Sequence, residues 1–238
     1  LEGAPQNDIG YFYAYPSQFA DAENVRQIAL SQGTVDIDAP VVAAAGGLLS
    51  LTLDDPKNTL GALVNLSVGS YNQRRAFVRV DTGEIAKTGI KAFVSYSNNR
   101  ADAWRGAGFD KRQHVDAKLL TEWGDGNRAS IAFSYNDANT STYRSPTMAD
   151  WKDKGRGFNF NKEYTDGDTE YWRLYRGPFR NFYTAAPIHL KLSDTLDFDS
   201  SAYLQFGHGN SPYGTQLTTT GNFLGVADGG QPVGNHQS

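Results

Sequence analysis

Residues 60–69 read Leu60-Gly61-Ala62-Leu63-Val64-Asn65-Leu66-Ser67-Val68-Gly69. Leu60, Ala62, Val64, Leu66 and Val68 share one parity; Gly61, Asn65 and Ser67 share the other. A two-residue period puts alternate side chains on opposite faces of a β-strand. The period then recurs down the chain. Ala76, Val78 and Val80 oppose Arg75, Arg79 and Asp81; Ile90, Ala92, Val94 and Tyr96 oppose Lys91, Ser95 and Ser97. Val115, Ala117 and Leu119 oppose His114, Asp116 and Lys118; Ile131, Phe133 and Tyr135 oppose Ser130 and Ser134. Ile188, Leu190 and Leu192 oppose His189 and Lys191; Leu196, Phe198 and Leu204 oppose Asp197, Asp199 and Gln205. Seven antiparallel strands follow, linked at 70–73, 82–89, 98–112, 124–127, 136–181 and 193–195.

Composition limits what such a sheet can belong to. The chain has 238 residues, 22 Lys+Arg against 26 Asp+Glu, and a net charge of −4. That balance weighs against a nucleic-acid partner, which calls for a basic surface. With no Cys, disulfide scaffolds and cysteine-based zinc sites are excluded. Mean hydropathy is −0.52. The longest apolar run, 41–53, is broken by Gly46 and Gly47, too short for a membrane helix of about 20 residues. A membrane β-barrel is not excluded, because its alternating polar residues dilute the average.

Two architectures satisfy the alternation. A soluble sandwich buries the apolar face against a second sheet. A membrane barrel turns it to lipid and keeps the polar face inside. The links favour the barrel: after the first, short and long connections alternate, and 136–181 is very long for a compact soluble domain. Tyr71, Tyr96, Trp104, Trp123, Tyr135 and Phe206 lie near the predicted strand ends, where an interfacial girdle would put them.

Residues 1–56 differ in character. Asp21 is placed to cap one helical turn over 21–26, a strand-like run leads from Val25 to Gly33, and 36–40 reads as a turn. Leu49, Leu51 and Leu53 alternate with Ser50, Thr52 and Asp54 as a second strand. The chain opens Leu1-Glu2-Gly3, with no initiator Met and no signal-peptide pattern, and is read as a piece of a longer protein.

Several segments carry a family resemblance. Glu23-Asn24-Val25-Arg26-Gln27-Ile28-Ala29-Leu30-Ser31-Gln32-Gly33 resembles the late plug strand of TonB-dependent outer-membrane receptors. Ala45-Gly46-Gly47-Leu48-Leu49-Ser50-Leu51-Thr52-Leu53-Asp54-Asp55-Pro56 resembles the glycine-pair strand that closes that plug. Val68-Gly69-Ser70-Tyr71-Asn72 with Arg74-Arg75, then Val80-Asp81-Thr82-Gly83 and the run 89–96, are similar to the family's first barrel strands. The resemblance implies a mainly β fold: an unclosed portion of an antiparallel transmembrane barrel, about seven strands over 57–238, preceded by the C-terminal part of an α+β plug over 1–56. It implies a Gram-negative outer membrane, contact with lipid and lipopolysaccharide, and energy from the TonB complex through a missing N-terminal part. The cargo would be a ferric siderophore, a vitamin or an oligosaccharide. A porin-like diffusion channel and a soluble carbohydrate-binding module are the competing functions. Links 70–73, 98–112 and 136–181 would face outward, with a fourth outer loop beginning after Gln205.

The third outer loop is the richest in recognition chemistry. Trp151, Arg156, Tyr171, Trp172, Arg173 and Arg176 are its ligand-binding candidates, since aromatics stack on rings and arginines grip carboxylates or phosphates. Asp166-Gly167-Asp168-Thr169-Glu170 fails the EF-hand spacing and reads as a solvated acidic turn. No metal or other cofactor is expected. No H-E-x-x-H or G-x-S-x-G motif is present, so no catalytic residue is assigned, although a dispersed Ser-His-Asp set is not excluded. His114 and His189 are expected to be hydrated, and the inward charges to form water-exposed pairs of about 0–1 kcal/mol each.

Overall fold

A computed structural model describes residues 1–7, 18–33, 35, 39, 41, 46–214, 222–223 and 226–227. The expected turn at 36–40 lies largely outside the described residues. The chain divides into two compact units.

The first unit comprises Leu1–Asp102, Phe109–Thr140 and Pro178–Asn210. Its N-terminal segment carries β1 (Val25–Gln32) and β2 (Gly47–Leu53), which pair antiparallel. The expected helical turn is tighter than a helix: Ala22–Asn24 is a 3-10 turn, and the Asp21 side chain does not cap it. That carboxylate instead binds Arg112 on a distant strand, a stronger charge-assisted partner than a backbone amide.

Seven further strands follow: β3 (Leu60–Gly69), β4 (Gln73–Glu84), β5 (Ile90–Asp102), β6 (Phe109–Trp123), β7 (Asn127–Ser141), β8 (Arg176–Ser193) and β9 (Leu196–Gly209). They form one antiparallel sheet in sequence order, unclosed, with β3 and β9 at its edges. The protein is thus mainly β, with the geometry of a partial barrel.

The strands run further than the alternation indicated. β5 and β6 continue to pair through Arg100↔Lys111 and Asp102↔Phe109, which shrinks the expected 98–112 loop to 103–108. β7 and β8 likewise reduce the long link to 142–175, and β9 extends four residues past Gln205. In consequence Tyr96 and Tyr135 lie well inside their strands rather than near the ends, whereas Trp123 closes β6.

Which face is buried decides between the two architectures. In β4, Phe77, Arg79 and Asp81 are buried while Val78 and Val80 are exposed; in β5, Phe93, Ser95 and Ser97 are buried while Val94 and Tyr96 are exposed. On β3, Leu66 is 75% and Val68 87% exposed. A sandwich would bury these apolar residues. Here the polar face is covered over the middle of β4 to β8, by the N-terminal segment, and the apolar face is bare. A small apolar core supports the cover: Leu1, Ala4, Phe19, Leu51 and Leu53 pack with Ala132, Tyr183 and Ala185 of β7 and β8. Phe19 meets Tyr183 edge-on at 5.7 Å, and the Tyr183 hydroxyl donates to the Leu1 carbonyl at 2.8 Å.

Tight connections need unusual backbone at few positions. Tyr71 and Asn72 both take positive φ in the two-residue-type turn between β3 and β4. Gly83 has φ +68, and a Cβ there would lie 2.6 Å from the Leu60 nitrogen, so the β4 bend admits only glycine.

The second unit comprises Ala103–Gly108, Ser141–Gly177 and Ser211–Ser238. It holds α1 (Met148–Lys154), opened by a capping box in which Thr147 and Asp150 exchange hydrogen bonds. Lys154 and Thr147 hold the Asp150 carboxyl down to about 2. A 3-10 turn spans Trp172–Tyr175, and two-residue strands β10 (Asn222–Phe223) and β11 (Val226–Ala227) pair antiparallel. Among the described residues no helix is long and apolar enough to cross a membrane, which leaves strand crossings untouched.

Candidate functional site

Two places concentrate chemistry, one in each unit. In the first, the N-terminal segment meets the polar face of the sheet along a seam of ion pairs. The sequence places Arg79 and Asp81 two apart on one face of β4, so they reach each other directly: Arg79 Nε and Nη2 donate to Asp81 at 3.1 and 2.9 Å. Arg79 Nη2 also donates to the Asp55 carbonyl at 3.0 Å, and its guanidinium lies 3.8 Å from the Phe93 ring centroid. Asp81 in turn accepts from the Lys57 amide at 2.9 Å.

Lys118, on β6, sits among Glu2 at 3.0 Å, Asp55 at 3.1 Å and the Leu53 carbonyl at 3.3 Å. Asp55 additionally binds Arg128 at 2.6 Å and Arg26 at 3.0 Å. Further along, Arg75 binds Glu23, and Arg112 binds Asp21 at 2.6 Å. Asn24 is fully buried, and its Nδ2 donates to Ser95 at 2.7 Å and to Asp116 at 2.8 Å.

For Arg79, Asp116 and Lys118 these pairs correct the expectation of weak, water-exposed bridges, whereas Lys191 keeps exposed partners in Asp125 and Asp194. Arg79 is 2% exposed, Asp81 and Lys118 1% each, and His114 not at all. The segment excludes water from the sealed part of the seam, so each of these charges depends on its partner. His114 is therefore not a hydrated histidine, although the half-exposed His189, paired with Asp199 at 2.8 Å, is closer to that expectation.

The seam does bring a serine, a histidine and an aspartate together. His114 Nε2 lies 2.7 Å from Asp116 Oδ1 and 3.4 Å from Ser134 Oγ. Both neighbours address the same ring nitrogen, whereas proton relay to a serine requires one on each nitrogen. Ser134 Oγ moreover donates to the Phe19 carbonyl at 2.9 Å. The trio is a piece of the seam, not a nucleophile.

Burial pushes the Asp55 carboxyl up, but Arg128 and Lys118 outweigh it and hold the group below its ordinary value of 3.8. A carboxyl lowered on folding contributes stability that is complete above its unfolded pKa and is lost as pH falls through the folded one. The N-terminal segment should therefore stay docked at about pH 4 and come loose only at lower pH. Pepsin cleavage within β1 and β2, followed across an acid titration, would read this. Asp55→Asn should remove its share of the transition; an unchanged profile would show that Asp55 does not contribute.

The second place is the link 142–175 and the start of β8. Trp172 is the hub: Arg173 and Arg176 carry their guanidinium carbons to 5.4 and 5.7 Å from its ring, and Tyr171 stands 6.2 Å away at a steep angle. Tyr164 extends the group, 5.5 Å from Tyr171. Four of the six sequence candidates, Tyr171, Trp172, Arg173 and Arg176, are thus neighbours. Trp151 sits in α1, and Arg156 is exposed just past it; neither makes a ring or ion-pair contact with that group among the described residues. The link is braced by Asn159, which donates to the Arg105 carbonyl at 2.9 Å and accepts from the Arg144 amide at 2.9 Å, and by an Arg144–Glu170 ion pair. The acidic turn is internally satisfied: Asp168 accepts from the Glu170 amide at 2.7 Å and from Asn161 at 3.0 Å.

Asp21, Asn24, Glu2 and Asp55 escaped the sequence reading as functional residues. The available signal was local: Asp21-Ala22-Glu23-Asn24 is a polar cluster just before an apolar strand.

No protein-family model and no curated protein sequence matches the chain. Among solved structures it is similar to the siderophore receptor PiuA from Acinetobacter baumannii, with a TM-score of 0.58 and 13% sequence identity over 78% of this chain. The match takes in 26% of the receptor, so the chain spans about a quarter of that protein's length. The likeness is one of fold: a β-barrel receptor, of which this chain has the geometry of one part.

Proposed function

We propose that the chain is part of a TonB-dependent outer-membrane receptor for active import, with 1–56 as the end of the plug and 57–238 as the first part of the barrel. The observation that carries this is the inverted burial: an apolar sheet face left bare and a charged one sealed by the N-terminal segment. A bilayer satisfies the first and a plug explains the second. Docking of 1–56 on the polar face also supports the receptor over an open diffusion channel, which needs no such cover. The exposed apolar face weighs equally against a soluble carbohydrate-binding module.

In this reading the links 103–108 and 142–175 face outward, beside lipopolysaccharide, and the Trp172 group contacts the cargo. Clustered aromatics flanked by guanidiniums suit a planar, anionic ligand such as a siderophore; a vitamin or an oligosaccharide remains compatible with Trp151, Arg156 and Tyr171 as further contacts. Energy would enter through TonB at a plug region outside this chain. The test is uptake by the full-length parent in cells. Import should stop when the TonB complex is removed. Trp172→Ala should weaken binding of the imported compound by about 30-fold, the scale of an aromatic hot spot. Uptake that persists without TonB would make the protein a diffusion channel.

A further inference from the structure

The geometry points to a divalent transition-metal site, of the zinc class, built by Asp21, His114 and Asp116 at the seam between the N-terminal segment and β6. One ligand atom from each lies within 4.8 Å of the others, and all three residues are buried. The inference does not depend on the import function; it concerns how the segment is fastened.

Acidic residues near a histidine do not by themselves make a site. The second observation is an orphaned polar atom: Asp21 Oδ2 is sealed from water without a hydrogen-bond partner, in a residue that is 4% exposed. Such atoms are costly to leave unsatisfied unless something occupies the space they face. The two carboxylates are also held in the way metal-binding carboxylates are. Asp21 Oδ1 accepts from Arg112 at 2.6 Å, which leaves Oδ2 free. Asp116 Oδ2 accepts from the Asp21 amide at 3.0 Å and from Asn24 at 2.8 Å, which leaves Oδ1 turned to His114. Each carboxylate thus has one oxygen fixed by donors and one available, the outer-shell arrangement that orients a ligand.

Charge agrees. With a neutral imidazole, the described groups at this spot are Asp21, Asp116 and Glu23 against Arg75 and Arg112, one negative charge in excess. An imidazole with two carboxylates suits zinc better than calcium or magnesium, which prefer oxygen alone. The 2.7 Å edge between His114 Nε2 and Asp116 Oδ1 is a hydrogen bond. A zinc ion with ligands at about 2.0–2.2 Å would replace that bond and open the edge to ~3.3 Å. Binding would expel the bridging proton and leave a fourth position beside Ser134.

The test uses the purified protein in detergent and Zn2+ itself. After dialysis against a weak chelator, about one Zn2+ per chain should remain. His114→Gln and Asp21→Asn should each abolish it, while His189→Gln, at the other His–Asp pair, should leave it unchanged. Asn24→Ala, which frees Asp116 and also gives up the bonds to Ser95 and Arg79, should weaken binding by about 10–100-fold. If the variants lose their strand circular-dichroism signal, Co2+ bound to the unaltered protein decides. An intense visible spectrum of a four-coordinate ion supports the site. A weak six-coordinate spectrum, substoichiometric Zn2+, or undiminished binding in the His114 and Asp21 variants overturns it and leaves a proton as the bridging charge.

Discussion

Val78→Arg should prevent the protein from folding stably into a bilayer while doing little to a water-exposed sheet. Val78 is central in β4, on the outward face, opposite Val64 of β3 and Tyr96 of β5. At the hydrocarbon midplane an arginine on a barrel's lipid face costs about 2–4 kcal/mol. Near the interface the same substitution costs about 0–1 kcal/mol. Val68→Arg, one residue from the end of β3, is therefore the matched control. Urea titration of protein refolded into lipid vesicles would measure both. Were Val78 facing water, both variants would be near neutral, as surface substitutions commonly are, within about 0.5 kcal/mol. Equal behaviour of the two would remove the bilayer from the account of this face.

Arg79→Ala should be the most damaging change within the seam. It strands Asp81, which is 1% exposed, and removes the donor to the Asp55 carbonyl. Breaking a buried pair from one side costs about 3–5 kcal/mol, because a desolvated charge is left behind. The guanidinium stacked on Phe93 disappears as well. Replacing both partners, as Arg79→Met with Asp81→Leu, should be much milder, since no lone charge remains. The Lys57 amide would still lose its acceptor, so recovery should be partial. Protease release of the N-terminal segment, alongside chemical denaturation, reads the result. If the single and double variants lose equal stability, packing rather than charge holds β4 to the segment.

Strand identity was legible because each strand divides two environments, and a period of two is the mark of that division. The period disappears where the division ends. Residues 98–100 and 110–112 are polar at every position, yet Arg100 still pairs with Lys111 and Asn99 with Arg112. Backbone hydrogen bonding does not require alternation, so the pattern marked only the part of each strand that has an apolar side. The Trp172 group was partly legible because Trp172, Arg173 and Arg176 are close in sequence on one turn and the strand it feeds. Trp151 and Arg156 share its residue types but, among the described residues, make no ring or ion-pair contact with it.

The seam was illegible for a different reason. Glu2 meets Lys118, and Asp21 meets Arg112, across long stretches of chain. No local spacing encodes such pairs. Lys118 and Arg79 looked like solvated charges because alternation says which way a side chain points, not what will cover it.

Burial within the seam is uneven: Arg26 and Asp54 are nearly half exposed, whereas Arg79 and Lys118, to which they are joined directly or through Asp55, are sealed. Salt at 0.1 M screens exposed charges beyond about 10 Å but reaches sealed pairs poorly. Raising ionic strength should then loosen the rim and leave the centre fastened. A steady pull shared by the whole segment would meet all the ion pairs at once, whereas a pull that begins at an exposed pair would meet them in succession. Two attachments with the same chemistry can thus differ greatly in the force they withstand, and the point at which force is applied decides which behaviour appears.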